Sequence, residues 1–138
     1  MERKDIVFLK KVEGLKLKPY KDTKGKLTIG YGRNLDDVGI TESEARFLLM
    51  NDVHLIIKKL VNFFGLDFWS SLPENVRVVL VSMVYNLGFD GFLGFKKFIE
   101  AIKHKNYQKA IYELQNSKRA KQLPSRTQKE VELLRGVL

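Results

Sequence analysis

Two carboxylic acids, Glu13 and Asp22, stand nine residues apart at the start of a glycine- and lysine-rich stretch that ends at Arg33. A carboxyl pair suits general acid and base work. One acid, kept protonated, delivers a proton to a leaving oxygen, while the other, ionised, activates a water or steadies developing positive charge. Cleavage of a glycosidic bond needs that arrangement, and it requires the chain to double back between the two groups. Asp22-Thr23-Lys24-Gly25 is a tight-turn sequence, and the alternation of Leu27, Ile29 and Tyr31 after it reads as the returning strand of a hairpin. Each acid also has an ordinary reading, Glu13 as an exposed residue at a helix end and Asp22 as a turn former. Gly30 and Gly32 either let a ligand approach the backbone closely or twist a small sheet.

The elements that must position these groups follow from periodicity. Ile6, Val7, Leu9 and Val12 suit one face of a short helix over residues 2–12, which Gly14 stops. The polar segment 34–39 reads as a loop ending in glycine. Thr41 and Glu44 form a capping box, and apolar positions from Ala45 to Phe64 continue the pattern, so a helix is predicted over 42–64. At 1.5 Å per residue it would be roughly 35 Å long, enough to link two lobes. Ser71 with Glu74 reads as a second capping box, ahead of an apolar, valine-rich run from Val76 to Leu87 that Gly88 closes. Valine favours a strand there, but the cap and the length predict a buried helix. Shorter helices are predicted over Phe95–His104, Tyr107–Asn116 and from Thr127 to the end. The fold class is therefore α+β and mostly helical. A single domain, 1–138, would have a small hairpin lobe near 14–40, a linking helix, and a helical lobe over 66–138 joined by the N-terminal helix, with a cleft between the lobes.

Composition sets further bounds. A chain of 138 residues can bury a core without staples, and none is offered, because cysteine is absent. Two distant histidines, His54 and His104, without cysteine suggest no metal site, and no cofactor is expected. The charged start Met1-Glu2-Arg3-Lys4-Asp5 is unlike a signal peptide, and no eighteen apolar residues follow one another. The formal charge of +9 is concentrated late in the chain, residues 92–138 holding 11 Lys/Arg against 4 Asp/Glu. Such a surface favours an anionic polymer or membrane.

The stretch resembles the catalytic segment of the phage-type lysozymes, the endolysin muramidases of glycoside hydrolase family 24. The resemblance is carried by Glu13, eight intervening residues, Asp22, five more, and then Thr28-Ile29-Gly30-Tyr31-Gly32. It extends through Gly39-Ile40-Thr41 with Glu44-Ala45, Met83-Val84-Tyr85-Asn86-Leu87-Gly88, Gly94-Phe95 and Pro124-Ser125-Arg126, which together span nearly the whole chain. The resemblance implies the lysozyme-like two-lobed fold and hydrolysis of the β-1,4 bond between N-acetylmuramic acid and N-acetylglucosamine in peptidoglycan. It implies Glu13 as general acid, Asp22 as the water-activating or charge-stabilising carboxylate, and Thr28 as the residue that positions water. Glu13 is then expected to be buried at the lobe junction, with its pKa raised. Inversion is implied too, with the carboxyls ~6.5–9.5 Å apart. Tyr85 and Asn86 match the family's substrate-facing positions, Tyr31 and Asn34 flank the cleft in this reading with Gly30 as a further substrate-side candidate, and Arg126 matches an arginine that approaches the catalytic glutamate. No cofactor is implied, and the partners are glycan strands, with a monomer expected. The protein would accumulate in the host cytoplasm until holin-type release.

Departures from the family pattern carry expectations of their own. Arg33 stands where many members have histidine, and Asp52 where its carboxylate partner lies, so an Arg33–Asp52 pair is predicted. Arg119 replaces a familiar tryptophan. Phe98 and Glu113 differ in type from the glycan contacts of longer members. The short segment between Asn34 and Thr41 implies a reduced small lobe. Two other classes compete: a catalytically idle lysozyme fold that binds wall or membrane through its cationic surface, and a nucleic-acid-binding helical module. The latter leaves Glu13, Asp22 and Thr28 unexplained and shows no base-reading motif, so no specific nucleic-acid partner is expected.

Overall fold

The computed structural model describes all residues 1–138. Eight helices and one three-stranded antiparallel sheet make up the chain, a mostly helical α+β protein as expected. Two units of contact are distinct, residues 1–48 and 49–138.

The first unit begins with α1 (Lys4–Glu13), which Gly14 ends with a positive φ of 71°. Strands β1 (Lys16–Lys21), β2 (Leu27–Gly30) and β3 (Arg33–Asn34) follow in sheet order β1-β2-β3. The first turn is built as its sequence suggests. The Asp22 amide donates to the Lys26 carbonyl at 2.9 Å, the Gly25 amide returns to the Asp22 carbonyl at 2.9 Å, and Gly25 adopts φ 78°. Register pairs Tyr20 with Thr28, and Thr28 in turn with Asn34, which puts Thr28 in the middle of the sheet. It is the one buried residue of this unit. The second hairpin was not expected, because a two-residue strand at the start of the polar 34–39 segment leaves no periodicity to read.

Helix α2 (Glu42–Phe64) begins on the capping box that was expected: the Glu44 amide donates to the Thr41 hydroxyl at 3.1 Å and the Thr41 amide to the Glu44 carboxylate at 2.9 Å.

The second unit is organised on α4 (Glu74–Leu93). Val76, Val79, Leu80, Met83 and Val84 fall at helical spacing and are all buried, so burial of one face overrides the strand preference of valine. Around it pack Leu60 of α2, Trp69 of α3 (Leu66–Ser71), Phe98 and Ile102 of α5 (Lys96–Lys103) and Leu114 of α6 (Tyr107–Gln115). Val131 and Leu134 of α8 (Pro124–Arg135) complete the cluster, and α7 (Lys118–Gln122) connects α6 to it. Each fully buried side chain of this size contributes about 1.5–3 kcal/mol relative to exposure. By length and composition alone α4 is also apolar enough to cross a membrane; here 33% of that stretch is buried, and its buried residues belong to the core.

Two start and stop signals read differently from expectation. The Ser71 hydroxyl donates to the Phe68 carbonyl at 2.6 Å, inside α3, and so caps nothing in α4, whose N-cap is Pro73. Gly88, with φ 74° and ψ 164°, interrupts the helical backbone as expected of a stop, but helix resumes beyond it, where Phe89 and Phe92 carry apolar burial on past the glycine.

Candidate active site

Glu13 is the last residue of α1, and its side chain turns toward the Gly30-Tyr31-Gly32 turn between β2 and β3. The contact is close: a Cβ on Gly32 would lie 2.6 Å from Glu13 Oε2 and 3.1 Å from its carboxyl carbon. Gly32 has φ 76° and Gly30 φ 71°. Glycine at 32 therefore meets two requirements together, a left-handed backbone and room for the Glu13 carboxyl. Glu13 itself is exposed, contrary to the burial expected of it, because it sits at the end of a helix that buries no residue.

Asp22 is oriented by its turn. Its Oδ1 accepts from the backbone amides of Lys24, at 2.9 Å, and Lys26, at 2.8 Å, whereas Oδ2 makes no hydrogen bond. One oxygen fixes the carboxylate and the other is available for chemistry. The Thr28 hydroxyl donates to the Lys26 carbonyl at 2.9 Å, which leaves its oxygen free to accept. Lys26 links the two groups: its amide holds Asp22 and its carbonyl holds Thr28.

Gly30 and Tyr31 line a groove of about 700 Å³, whose other walls include Ile29, Ile40 and Phe47. Tyr31 is exposed, and the Lys10 ammonium lies 5.6 Å from its ring centre. The Glu2 carboxylate, hydrogen-bonded to that ammonium, raises the pKa of Lys10. Asn34 serves its own loop, accepting from the Asp37 amide at 3.0 Å and donating to the Asp37 carboxylate at 2.9 Å.

Arg33 takes Glu44, not Asp52, as its carboxylate partner, which corrects the expected pair. The two form a fork at 2.9 and 2.7 Å, and Arg33 also donates to the Gly39 carbonyl at 3.0 Å. Glu44 wins because the capping box has already placed it in the first turn of α2, with its carboxylate facing the loop that Arg33 reaches. The Arg33 hydrogen bond, together with the Thr41 amide, lowers the Glu44 pKa to about 2. The same pairing raises that of Arg33.

The remaining substrate-side candidates belong to the second unit. Tyr85 is exposed on α4. Asn86 accepts from Arg119 Nε at 2.9 Å, and Arg126 donates from Nε to the Ser82 hydroxyl at 3.2 Å and from a terminal nitrogen to the Ser82 carbonyl at 2.9 Å. Ser82, Asn86 and Arg126 line a second groove of about 660 Å³ along α4 and α8. Phe98, a position where glycan contact was in question, is 1% exposed and belongs to the core. Sequence reading missed Glu130, a buried carboxylate joined to Arg119 and Ser82. The i,i+4 spacing of Arg126 and Glu130 on α8 was its only trace.

The sequence pattern of the family described as Phage lysozyme matches residues 10–130. A Dictyostelium discoideum protein named Probable T4-type lysozyme 2 is 30% identical over an alignment that covers 90% of this chain and 89% of that protein. A protein named SAR-endolysin, from Bacteriophage PS119, is 35% identical over 59% of this chain and 48% of its own length. One named Endolysin, from Acyrthosiphon pisum secondary endosymbiont phage 1, is 31% identical over 67% of this chain and 62% of its own.

Proposed function

The chain belongs to the phage lysozyme family, and on that premise we propose that it is a muramidase. It hydrolyses the β-1,4 bond between N-acetylmuramic acid and N-acetylglucosamine in bacterial peptidoglycan. Glu13 acts as general acid and gives its proton to the leaving glycosidic oxygen. Asp22, through the oxygen its turn leaves unbonded, takes a proton from the attacking water as that water adds to the anomeric carbon. Thr28 accepts a hydrogen bond from the same water, its own proton being held by the Lys26 carbonyl. Displacement in one step inverts the anomeric centre, and the two protons moved keep the reaction balanced. Within the first unit Gly30 and Tyr31 are the residues that contact glycan, and within the helical unit the corresponding residues are Tyr85, Asn86 and Arg126.

The observation that carries the reading is the seating of the Glu13 carboxyl against Gly32. The turn that holds Gly32 joins β2 to β3 in the same sheet that holds Thr28 and the Asp22 turn, which supports a common framework for the three groups. The basic surface of the last third holds the enzyme on anionic wall polymers. The protein acts as a monomer on the wall after release from the host cytoplasm.

The test is mass spectrometry of soluble products from purified peptidoglycan, with wild type beside Glu13→Gln. Reducing muramic ends made by the wild type and absent with the variant are expected, with the thermal midpoint of the variant nearly unchanged because Glu13 is exposed. Anhydro-muramic ends would reassign the reaction to a transglycosylase. No products from either protein would leave a catalytically idle, wall-binding fold.

A further inference from the structure

Arg119 and Glu130 form an ion pair inside the helical unit, at 4% and 2% exposure. Both carboxylate oxygens of Glu130 receive a guanidinium nitrogen of Arg119, and Ser82 donates to one of them at 2.6 Å. Stability gives little reason for such a pair, since apolar residues of similar volume in its place are often no less stable. Its reach gives a better one. Arg119 Nε extends to the Asn86 side chain, and Ser82, held by Glu130, receives Arg126 on both its hydroxyl and its carbonyl. Arg126 Nε also lies 3.8 Å from Glu130. The charged core of the unit thus ends on two side chains that line the groove of α4 and α8, Asn86 and Arg126.

We propose that Glu130, clamped by Arg119, is a positioning residue that sets Asn86 and Arg126 for the glycan. The inference rests on the muramidase reading, which places those two residues on the substrate side. Two guanidinium groups share one carboxylate, and only Arg126, at 38% side-chain exposure, reaches the surface. The cluster therefore presents one net positive charge at a fixed point of the groove. Arg119 and Glu130 touch no substrate themselves.

The test replaces the pair by apolar residues, Arg119→Met with Glu130→Leu. A packing role alone would leave function intact in that double variant. Order in the Arg126 Nε–H and the Asn86 side-chain amide is followed by the heteronuclear NOE, and KM and kcat are measured on purified peptidoglycan. The expected result is a folded protein with a lowered NOE at Arg126, a KM raised about tenfold and kcat within about threefold of wild type. An unchanged NOE, or a lowered NOE with KM unchanged, would overturn the proposal. If the double variant does not fold, Arg119→Lys serves. It keeps the charge but loses the fork and the reach to Asn86, so a shifted Asn86 amide with raised KM supports the proposal, and wild-type values for both refute it. Should the wild type itself release no muramic products, the muramidase reading falls, and the NOE measurements still decide whether Glu130 holds Arg126.

Discussion

Gly32→Ala separates a structural role for the Gly30-Tyr31-Gly32 turn from a catalytic one. The added methyl would lie 2.6 Å from Glu13 Oε2, and an ordinary contact begins at 3.4 Å, so the carboxyl must retreat by about 0.8 Å. The obstructing atom is the far end of a flexible, exposed side chain, so yielding costs little stability. What remains is backbone strain, since φ is 76°, where alanine loses roughly 1–2 kcal/mol. Gly65→Ala is the matched control, with φ 90° and nothing within 4 Å of its new methyl. Both variants should lose about 3–8 °C in thermal midpoint. Displacement of a catalytic group by about 1 Å costs on the order of 100-fold in rate. Release of reducing ends from purified peptidoglycan should therefore fall by about two orders of magnitude for Gly32→Ala and by less than about threefold for Gly65→Ala. Equal activities in the two variants would refute the seating of Glu13 as the basis of catalysis.

Thr28→Val keeps the shape of the side chain but removes its bond to the Lys26 carbonyl. It should cost about 1 kcal/mol in denaturant unfolding and, through the lost acceptor for water, at least about tenfold in kcat. A kcat like that of wild type would remove Thr28 from the mechanism. Glu44, its pKa lowered to about 2 in the folded state by Arg33 and Thr41, contributes stability that is fully present above the ordinary carboxylate range. That contribution fades as pH falls toward 2. Glu44→Gln should flatten the acid limb of the melting curve between about pH 4.5 and 2, and an unchanged limb would show that other carboxylates govern it. Lysis should weaken with added salt, since the last third attracts wall polymers by charges that counterions screen. A flat response up to 0.5 M salt would remove the surface from binding.

Legibility in the sequence followed the range of the interaction. The Thr41–Glu44 box and the Asp22 turn form within four residues, and both were readable because capping and turn chemistry act over that span. Ser71 with Glu74 had the same spacing yet formed no box, since Pro73 lies between them with φ −57° and ψ 149° and the Ser71 hydroxyl turns back to Phe68. A short-range signal is thus a competition among nearby acceptors, and the spacing alone names only one competitor. The long α4 was readable because helical spacing of buried positions is stronger than the β preference of individual valines. The interruption at Gly88 was readable too, but the helix beyond it was not, because that continuation depends on what Phe92 packs against.

The site shows the same division, with a chemical consequence. Glu13, Asp22 and Thr28 lie within sixteen residues and could be read from a motif, whereas Arg33, Arg119 and Arg126 depended on partners that sequence distance conceals. Arg33 was expected to pair with Asp52, but the predicted helix also carries Glu44, which the cap places within its reach. Composition weighted Arg119 like every other cation in the basic third, yet burial with Glu130 takes one charge of each sign out of the surface. Of the 11 cations and 4 acids in residues 92–138, this leaves 10 and 3 to meet solvent. The net excess is unchanged, but the surface it acts on is more one-sided than the sequence count suggests. Arg119 and Arg126 lie seven residues apart in one basic run and serve opposite purposes, one neutralised at the centre of a polar core and the other presented by that core to the groove.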